Sequence, residues 1–147
     1  MQESKHNIVL SLGSNLGERK ENIQQAYHLL QEYLGDMLKC SSFFETKPWG
    51  FESDRYFVNS CALFSTLYDP FESLKIINDI ERQLGRKRSY LAGYEDRIID
   101  IDIIFYDQEH IHTPELQIPH PLWQVRDFVI NPLKEILPDL VVPSSKS

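Results

Sequence analysis

The sequence predicts an α+β domain in which two helices pack on one face of a four-stranded antiparallel sheet. Two amphipathic helical stretches alternate with four strand-like runs in the order β-α-β-β-α-β, with glycine, proline and aspartate at the junctions. This order is the split pattern of the ferredoxin-like fold. We therefore expect one ferredoxin-like domain over residues 1–147, with the other face of the sheet partly open and a C-terminal extension that contains short helices.

The first strand and the first helix occupy residues 7–35. Residues 7–14, "NIVLSLGS", are rich in β-branched residues and leucine, which is typical of a strand. In residues 15–35 apolar side chains recur at spacings of three and four, the period of one helical face, and Gly35 is a typical helix end. These apolar side chains are Ile23, Ala26, Tyr27, Leu30, Tyr33 and Leu34.

Two further strands and a second helix come next. Residues 37–46 and 57–66 are strand-like, and the loop between them contains proline and glycine. Asp69 can cap the second helix, Pro70 suits its first position, and Glu72 stands where a capping-box acid would. The inward stripe of this helix, which Gly85 ends, consists of Leu74, Ile77, Ile80 and Leu84.

The composition narrows the class of protein. A chain of 147 residues, 41% hydrophobic, suffices for one domain with a sizeable core. The start "MQESKHN" is too polar for a signal peptide, and no segment approaches the roughly 20 apolar residues of a membrane span. Cys40 and Cys61 lie in strand-like runs, so we expect buried free thiols and a reducing cytoplasm. The net charge of −7 argues against a nucleic-acid partner, and we expect a monomer without membrane contacts.

A pair of acids interrupts the last strand of the pattern, residues 97–105, "RIIDIDIIF". Because side chains alternate along a strand, Asp100 and Asp102 share a face and lie about 7 Å apart. One interpretation is a solvated pair, or a partner for Arg97. The other, which we favour, is a magnesium site, since Mg²⁺ takes one or two carboxylates together with substrate phosphates. The opposite face, toward the helices, is predicted to carry Ile99, Ile101, Ile103 and Phe105.

A basic cluster on this acidic chain leads into the two aspartates. Guanidinium groups bind phosphoryl oxygens well, and a metal ion can bridge the same oxygens. A solvated charged turn is the alternative interpretation. Because the cluster directly precedes the acid pair, we interpret the two together as a polyphosphate site. The cluster consists of Arg82, Arg86, Lys87, Arg88 and Arg97.

Aromatic and amide side chains suggest a site for a flat heterocycle. Phe57 and Asn59 share a face of the third strand, where a ring can stack and an amide can both donate and accept. The alternative is that Phe57 is core and Asn59 an edge residue. The loop before this strand carries Trp49 and Phe51 and is a candidate lid. Another cation and another ring follow the motif "IPHP", whose histidine is His120: Arg126 and Phe128.

Together these pieces match a known family. Seven stretches occur in the family's order from residue 8 to about 139: "LSLGSNLGER", "FFETKPWGF", "FVN", "IERQLGRKR", "RIIDIDIIFY", "IPHP" and "RDFVINPLKEILP". The run "DRIIDIDIIFYD" followed by "IPHP" is highly specific, whereas each of the other pieces alone is weak. On these motifs the chain resembles 6-hydroxymethyl-7,8-dihydropterin pyrophosphokinase, an enzyme of the folate pathway.

The resemblance implies transfer of a pyrophosphoryl group from the co-substrate ATP to the hydroxymethyl oxygen of the pterin, with release of AMP. It implies that Asp100 and Asp102 hold two Mg²⁺ ions and act in catalysis with Arg86 and Arg97. By the same resemblance, ATP would contact Glu81, Arg86, Arg88, Arg97, His120 and Arg126. The pterin would contact Thr46, Lys47, Trp49, Phe57, Asn59 and Phe128, lying between the two phenylalanine rings.

The chain departs from the family's pattern at two places. Phe57 stands where the family often has tyrosine, so ring stacking is kept without the hydroxyl. Residues 89–96, "SYLAGYED", differ from the more familiar "RWGPR", and Tyr94 is the candidate to replace its tryptophan.

Two other classes of function compete with the enzyme. An RNA-binding module of the same fold would carry its aromatic motif on the third strand of a basic domain, whereas this strand reads "FVNSCALFST" in an acidic protein. A small-molecule regulatory domain would not need Asp100, Asp102 and the arginines together. Detectable release of AMP would exclude both classes.

Overall fold

The structure is a computed structural model and describes residues 4–48, 54–85 and 98–140. The strands are β1 (His6–Ser14), β2 (Gly35–Cys40), β3 (Phe44–Thr46), β4 (Phe57–Thr66), β5 (Asp100–Tyr106), β6 (Ile111–His112) and β7 (Gln117–Ile118). The helices are α1 (Arg19–Tyr33), α2 (Pro70–Gln83) and α3 (Asp127–Ile136), with a short 3-10 turn at Trp123–Val125.

The main sheet has the strand order β2-β4-β1-β5, with β3 also paired to β4, and every pair is antiparallel. The mixed α/β class and the antiparallel sheet are thereby confirmed. The expected single strand over residues 37–46 is wrong, because it is divided into β2 and β3. Ser41 lies at the break, where its Oγ accepts the N–H of Cys61 at 2.9 Å. The serine hydroxyl thus accepts the hydrogen bond from Cys61 that a backbone carbonyl would accept in a continuous strand.

Helices α1 and α2 cover one face of the sheet, as predicted. The second helix begins as expected, because Asp69 Oδ1 accepts the N–H of Glu72 at 2.7 Å and Glu72 Oε1 accepts the N–H of Asp69 at 3.2 Å. The prediction that Tyr33 belongs to the apolar face of α1 is wrong. Tyr33 is the last residue of the helix and is 49% exposed. The shared core of this face includes Leu10, Leu12, Ile23, Leu30, Phe64, Ile77, Ile80, Ile99, Ile101 and Ile103.

Helix α3 covers part of the other face. Its apolar residues Val129, Leu133 and Ile136 form a second core with Trp123 and with side chains of β1, β4 and β5. The N–H of Ser42 donates to Glu135 at 2.8 Å, and hydrogen bonds from Ser42 lower the pKa of this exposed carboxyl. The C-terminal end of α3 is therefore attached to the connection between β2 and β3.

A β-bulge near the end of β5 changes which face its side chains occupy. Val9 lies opposite Phe105, but Leu10 lies opposite Ile103, so Ile104 is an extra residue in the ladder. The inserted residue reverses the alternation beyond it.

The prediction that Phe105 points toward α1 and α2 is wrong for this reason. Its ring packs edge-on against Trp123 on the other face, with 5.1 Å between ring centroids. Tyr106 instead enters the core of the helix-covered face.

The two cysteines differ in exposure. Cys61 is buried, as predicted, and burial raises the pKa of its thiol to about 12. Cys40 is exposed, so the prediction of a buried thiol is wrong there. The reason is that β2 is an outer strand whose last residues face water. Within the described residues, no helix is long and apolar enough to cross a membrane.

Gly35 marks a close approach between β2 and β4. A Cβ at this position would lie 1.9 Å from the carbonyl oxygen of Ser65. We expect Gly35→Ala to lower the free energy of unfolding by about 1–3 kcal/mol, because the backbone must move to relieve the overlap. Urea denaturation measures the effect, with the exposed neighbour substitution Asp36→Ala as control. Equal stability of the two variants would show that the strands are not this close.

Candidate active site

Polar residues from three strands lie side by side on the face that carries α3. Asn59 on β4 is opposite Gly13 on β1, and Gly13 is opposite Asp100 on β5. In the next row Ser11 is opposite Asp102. Directly opposed residues of antiparallel strands share a face. The register therefore places the amide of Asn59 and both carboxylates on one surface, with only a glycine between Asn59 and Asp100.

Gly13 keeps the centre of this surface open. A Cβ there would lie 3.0 Å from Asn59 Oδ1 and 3.4 Å from Cδ1 of Phe57. Both side chains therefore extend over the backbone of β1. A larger residue at Gly13 would displace them.

Three of the residues predicted to contact the pterin come together here. Asn59 is 3% exposed, and its Nδ2 donates to Thr46 Oγ1 at 2.6 Å. Thr46 is in turn paired with Phe57 in the sheet. Lys47 follows immediately after β3. The arrangement fixes the amide of Asn59 and places a ring beside it.

The aspartates offer hard oxygen ligands. Asp100 and Asp102 are both half-buried and are separated along β5 by Ile101. Among the described residues, no group of three or more histidine, cysteine, aspartate or glutamate side chains is arranged to hold a metal. Two carboxylates fit Mg²⁺ nonetheless, because this ion commonly completes its octahedron with phosphate oxygens and water.

Two side chains from the helices hold the beginning of β5. Glu81 of α2 is 4% exposed, and its Oε2 accepts the N–H of Ile101 at 2.8 Å. Asn22 of α1 donates from Nδ2 to the carbonyl of Ile98 at 3.3 Å and to that of Leu16 at 2.9 Å. Sequence reasoning missed Asn22, because nothing in its neighbourhood distinguishes it from a solvated polar residue of α1.

His120 lies beside β5, where it is bonded to the bulge and interacts with Asp100. The backbone N–H of His120 donates to the backbone carbonyl of Ile104, the bulged residue, at 3.0 Å. Its Nδ1 accepts the N–H of Leu122 at 3.1 Å, which leaves the ring proton on Nε2. Burial and, next, the Arg126 guanidinium together lower the pKa of His120 to about 4, although the Asp100 carboxylate acts in the opposite direction. Arg126 and Asp100 therefore both lie within electrostatic reach of His120.

Arg126 and Phe128 stand at the beginning of α3. The guanidinium carbon of Arg126 lies 5.4 Å from the centroid of the Phe128 ring, a cation–π distance. Arg126 is 6% exposed, whereas Phe128 is half-buried. One helix start thus brings a cation and a ring to the same region of the sheet.

Four of the residues predicted from the sequence lie outside the described residues: Trp49, Arg86, Arg88 and Arg97. The same holds for Phe51, Lys87 and Tyr94. The remaining ten predicted site residues are described. Nine of them belong to β3, β4, β5, α2, the segment before α3 or α3 itself, and Lys47 directly follows β3.

The depressed pKa of His120 gives a testable prediction. Its folded-state value of about 4 lies below the ordinary value near 6.5. The unfolded chain therefore binds a proton first, and this residue reduces stability as the pH falls from about 6.5 toward 4. We expect the ring resonances of His120 in an NMR titration to stay those of neutral imidazole at pH 6. A midpoint near 6.5, the ordinary value for histidine, would contradict the assignment.

Similarity to known proteins shows the family of this chain. A sequence model of the family described as 7,8-dihydro-6-hydroxymethylpterin-pyrophosphokinase (HPPK) matches residues 9–138. The chain belongs to the HPPK family. An HPPK of Porphyromonas gingivalis is 44% identical over 134 residues, 89% of this chain and 90% of the relative. The HPPK of Aquifex aeolicus is 40% identical and that of Bacillus subtilis 39%, over 92% and 86% of this chain and 83% and 75% of the relatives.

Solved HPPK structures share the fold. The HPPK-DHPS triple mutant of Plasmodium falciparum superposes with a TM-score of 0.76 at 18% identity, covering 96% of this chain and 41% of the other. The A437G HPPK-DHPS of the same organism also gives 0.76, over 95% of this chain and 43% of the other. This chain therefore corresponds to about two fifths of those longer proteins.

Proposed function

We propose that this chain transfers the pyrophosphoryl group of ATP to the hydroxymethyl group of 6-hydroxymethyl-7,8-dihydropterin, giving the pterin diphosphate and AMP in tetrahydrofolate biosynthesis. Membership in the HPPK family supports this reaction and disfavours both the RNA-binding and the regulatory alternative. The observation that carries the proposal is the row formed by Asn59, Gly13 and Asp100, because it sets an amide for a heterocycle beside a carboxylate for a phosphate-bound metal.

The pterin is assigned to the region over β1 and β4. The ring of Phe57 and the ring of Phe128 are proposed to enclose it, with the buried amide of Asn59 reading its polar edge. The bond from Asn59 Nδ2 to Thr46 supports this role, because it leaves Oδ1 as the acceptor for a pterin N–H. Lys47 and Trp49 are proposed to complete this subsite.

The triphosphate is assigned to the region between β5 and α3. Asp100 and Asp102 would hold Mg²⁺, two ions by the family resemblance, and bound Mg²⁺ would neutralise charge on the phosphates. Neutral His120 offers its Nε2–H as a donor, and Arg126 offers a guanidinium. The further proposed contacts with the nucleotide are Arg86, Arg88 and Arg97.

The reaction follows from holding the two substrates in line. The hydroxymethyl oxygen forms a bond to the β-phosphorus while the bond from that phosphorus to the α,β-bridging oxygen breaks. AMP leaves with the bridging oxygen, and the hydroxyl proton passes to water or to a site carboxylate. The contribution of the chain is positioning and electrostatic stabilisation, in which Arg86, Arg97 and the two aspartates take part.

The wider setting of the enzyme is also part of the proposal. The strand order β2-β4-β1-β5 supports a ferredoxin-like topology in which β2 and β3 together form one broken strand. We assign the protein to the cytoplasm as a monomer acting on small molecules, without a nucleic-acid partner, which the net charge of −7 supports.

Mass spectrometry of the pterin product tests the reaction directly. After incubation with ATP and Mg²⁺, the pterin is expected to gain two phosphoryl groups in one event, without a monophosphate at early times. Accumulation of the pterin monophosphate would instead indicate stepwise phosphorylation and would contradict pyrophosphoryl transfer.

A further inference from the structure

The carboxylate of Glu81 meets the sheet at the residue between the two aspartates. Its Oε2 accepts the N–H of Ile101 at 2.8 Å. Among the described strands β5 is an outer one, so a backbone N–H that points away from β1 has no partner in a described strand. The glutamate supplies the missing acceptor for the peptide group that joins Asp100 to Ile101.

The burial of Glu81 indicates that its contact with Ile101 is specific. Glu81 is 4% exposed, and an ionisable residue is seldom buried to that degree without a specific partner. A carboxylate that accepts from a backbone N–H makes a charge-assisted bond, which is shorter and stronger than a neutral one. The bond therefore restrains the peptide that follows Asp100 and immediately precedes the Ile101–Asp102 peptide.

We propose that Glu81 is a positioning residue for the carboxylate pair, acting through the N–H of Ile101. By holding that peptide, Glu81 sets the spacing and direction of Asp100 and Asp102 before any ligand arrives. This role rests on the proposed function only in naming Mg²⁺–ATP as the ligand. It takes the place of the direct nucleotide contact that the resemblance implies for Glu81, because the glutamate acts on metal binding through the backbone of β5.

Amide hydrogen exchange of the 147-residue chain measures this hydrogen bond directly. In the wild type the Ile101 amide is expected to be protected, although it lies on the outer edge of the sheet. In Glu81→Ala its exchange should accelerate on the order of 10-fold, since one hydrogen bond is lost. Glu81→Gln keeps an acceptor oxygen at the same distance and should retain most of the protection. Asp79→Ala removes an exposed carboxylate from the same helix and serves as the matched control.

Metal affinity separates positioning from simple structural support. Electron paramagnetic resonance of Mn²⁺ with α,β-methylene ATP should show about 10- to 100-fold weaker metal binding in Glu81→Ala, the usual effect of losing a group that orients metal ligands. Binding of the same analogue without metal should be unchanged. Glu81→Gln should lie close to the wild type in both measurements.

Three results would overturn the inference. They are unchanged Ile101 exchange in Glu81→Ala, faster exchange with unaltered Mn²⁺ affinity, and an equal loss of metal-free nucleotide binding, which would indicate direct contact. Should Glu81→Ala fail to fold, Glu81→Asp withdraws the carboxylate from Ile101 while keeping its charge, and wild-type behaviour of that variant would be equally decisive. None of these measurements uses the pterin, so a failure of the proposed reaction would appear separately, as a wild-type protein that makes no pterin diphosphate.

Discussion

Asp102→Ala is expected to lower turnover by about 1,000-fold, because a metal ligand contributes several kcal/mol to stabilising the charge on a transferring phosphoryl group. The fold should survive the change. Asp102 is half-buried and lies opposite Ser11. It is on the face of the sheet away from the apolar core beneath α1 and α2. Removing one of two neighbouring carboxylates also relieves their repulsion in the free protein.

Steady-state rates at saturating Mg²⁺ and circular dichroism test this together. Asp36→Ala, an exposed acid at the opposite edge of the sheet, is the control for the loss of one negative charge. A variant that folds and keeps near-normal turnover at saturating Mg²⁺ would remove Asp102 from the metal site.

Phe128→Ala is expected to weaken pterin binding by about 1–3 kcal/mol, or about 5- to 150-fold in Kd, if its ring stacks on the pterin. Binding of Mg²⁺–ATP should change much less, because the ring offers nothing to a phosphate. A small loss of ATP affinity is expected through Arg126, because its guanidinium lies 5.4 Å from the ring centroid of Phe128.

Isothermal titration with each substrate separates the two effects. Phe71→Ala removes an aromatic ring that is 46% exposed on α2, and this variant controls for the general loss of an aromatic side chain. Equal losses of affinity for the pterin and for ATP would contradict a stacking role of Phe128.

The parts of the fold that depend on local chemistry could be predicted from the sequence. The capping box at Asp69 and Glu72 is formed by residues three apart, so the pattern itself contains the interaction. The common face of Asp100 and Asp102 likewise follows from the period of a strand. Neither feature depends on the rest of the chain.

Features created by distant contacts could not be predicted. No glycine marks the bulge at Ile104 in the sequence, and the bulge is recognised only from the register of β5 against β1. The division of the second strand depends on Ser41 bonding to Cys61, twenty residues later. The restraints on β5 from Glu81 and Asn22 exist only once both helices have packed. The periodicity of a single segment carries no information about such contacts.

The most direct test of the account is nucleotide release from ATP and Mg²⁺, measured by chromatography with and without 6-hydroxymethyl-7,8-dihydropterin. We predict AMP that depends on the pterin, in equal amount to the pterin diphosphate and without ADP, because the hydroxyl attacks the β-phosphorus. Pterin-dependent ADP would mean transfer of a single phosphoryl group, and it would contradict the central claim.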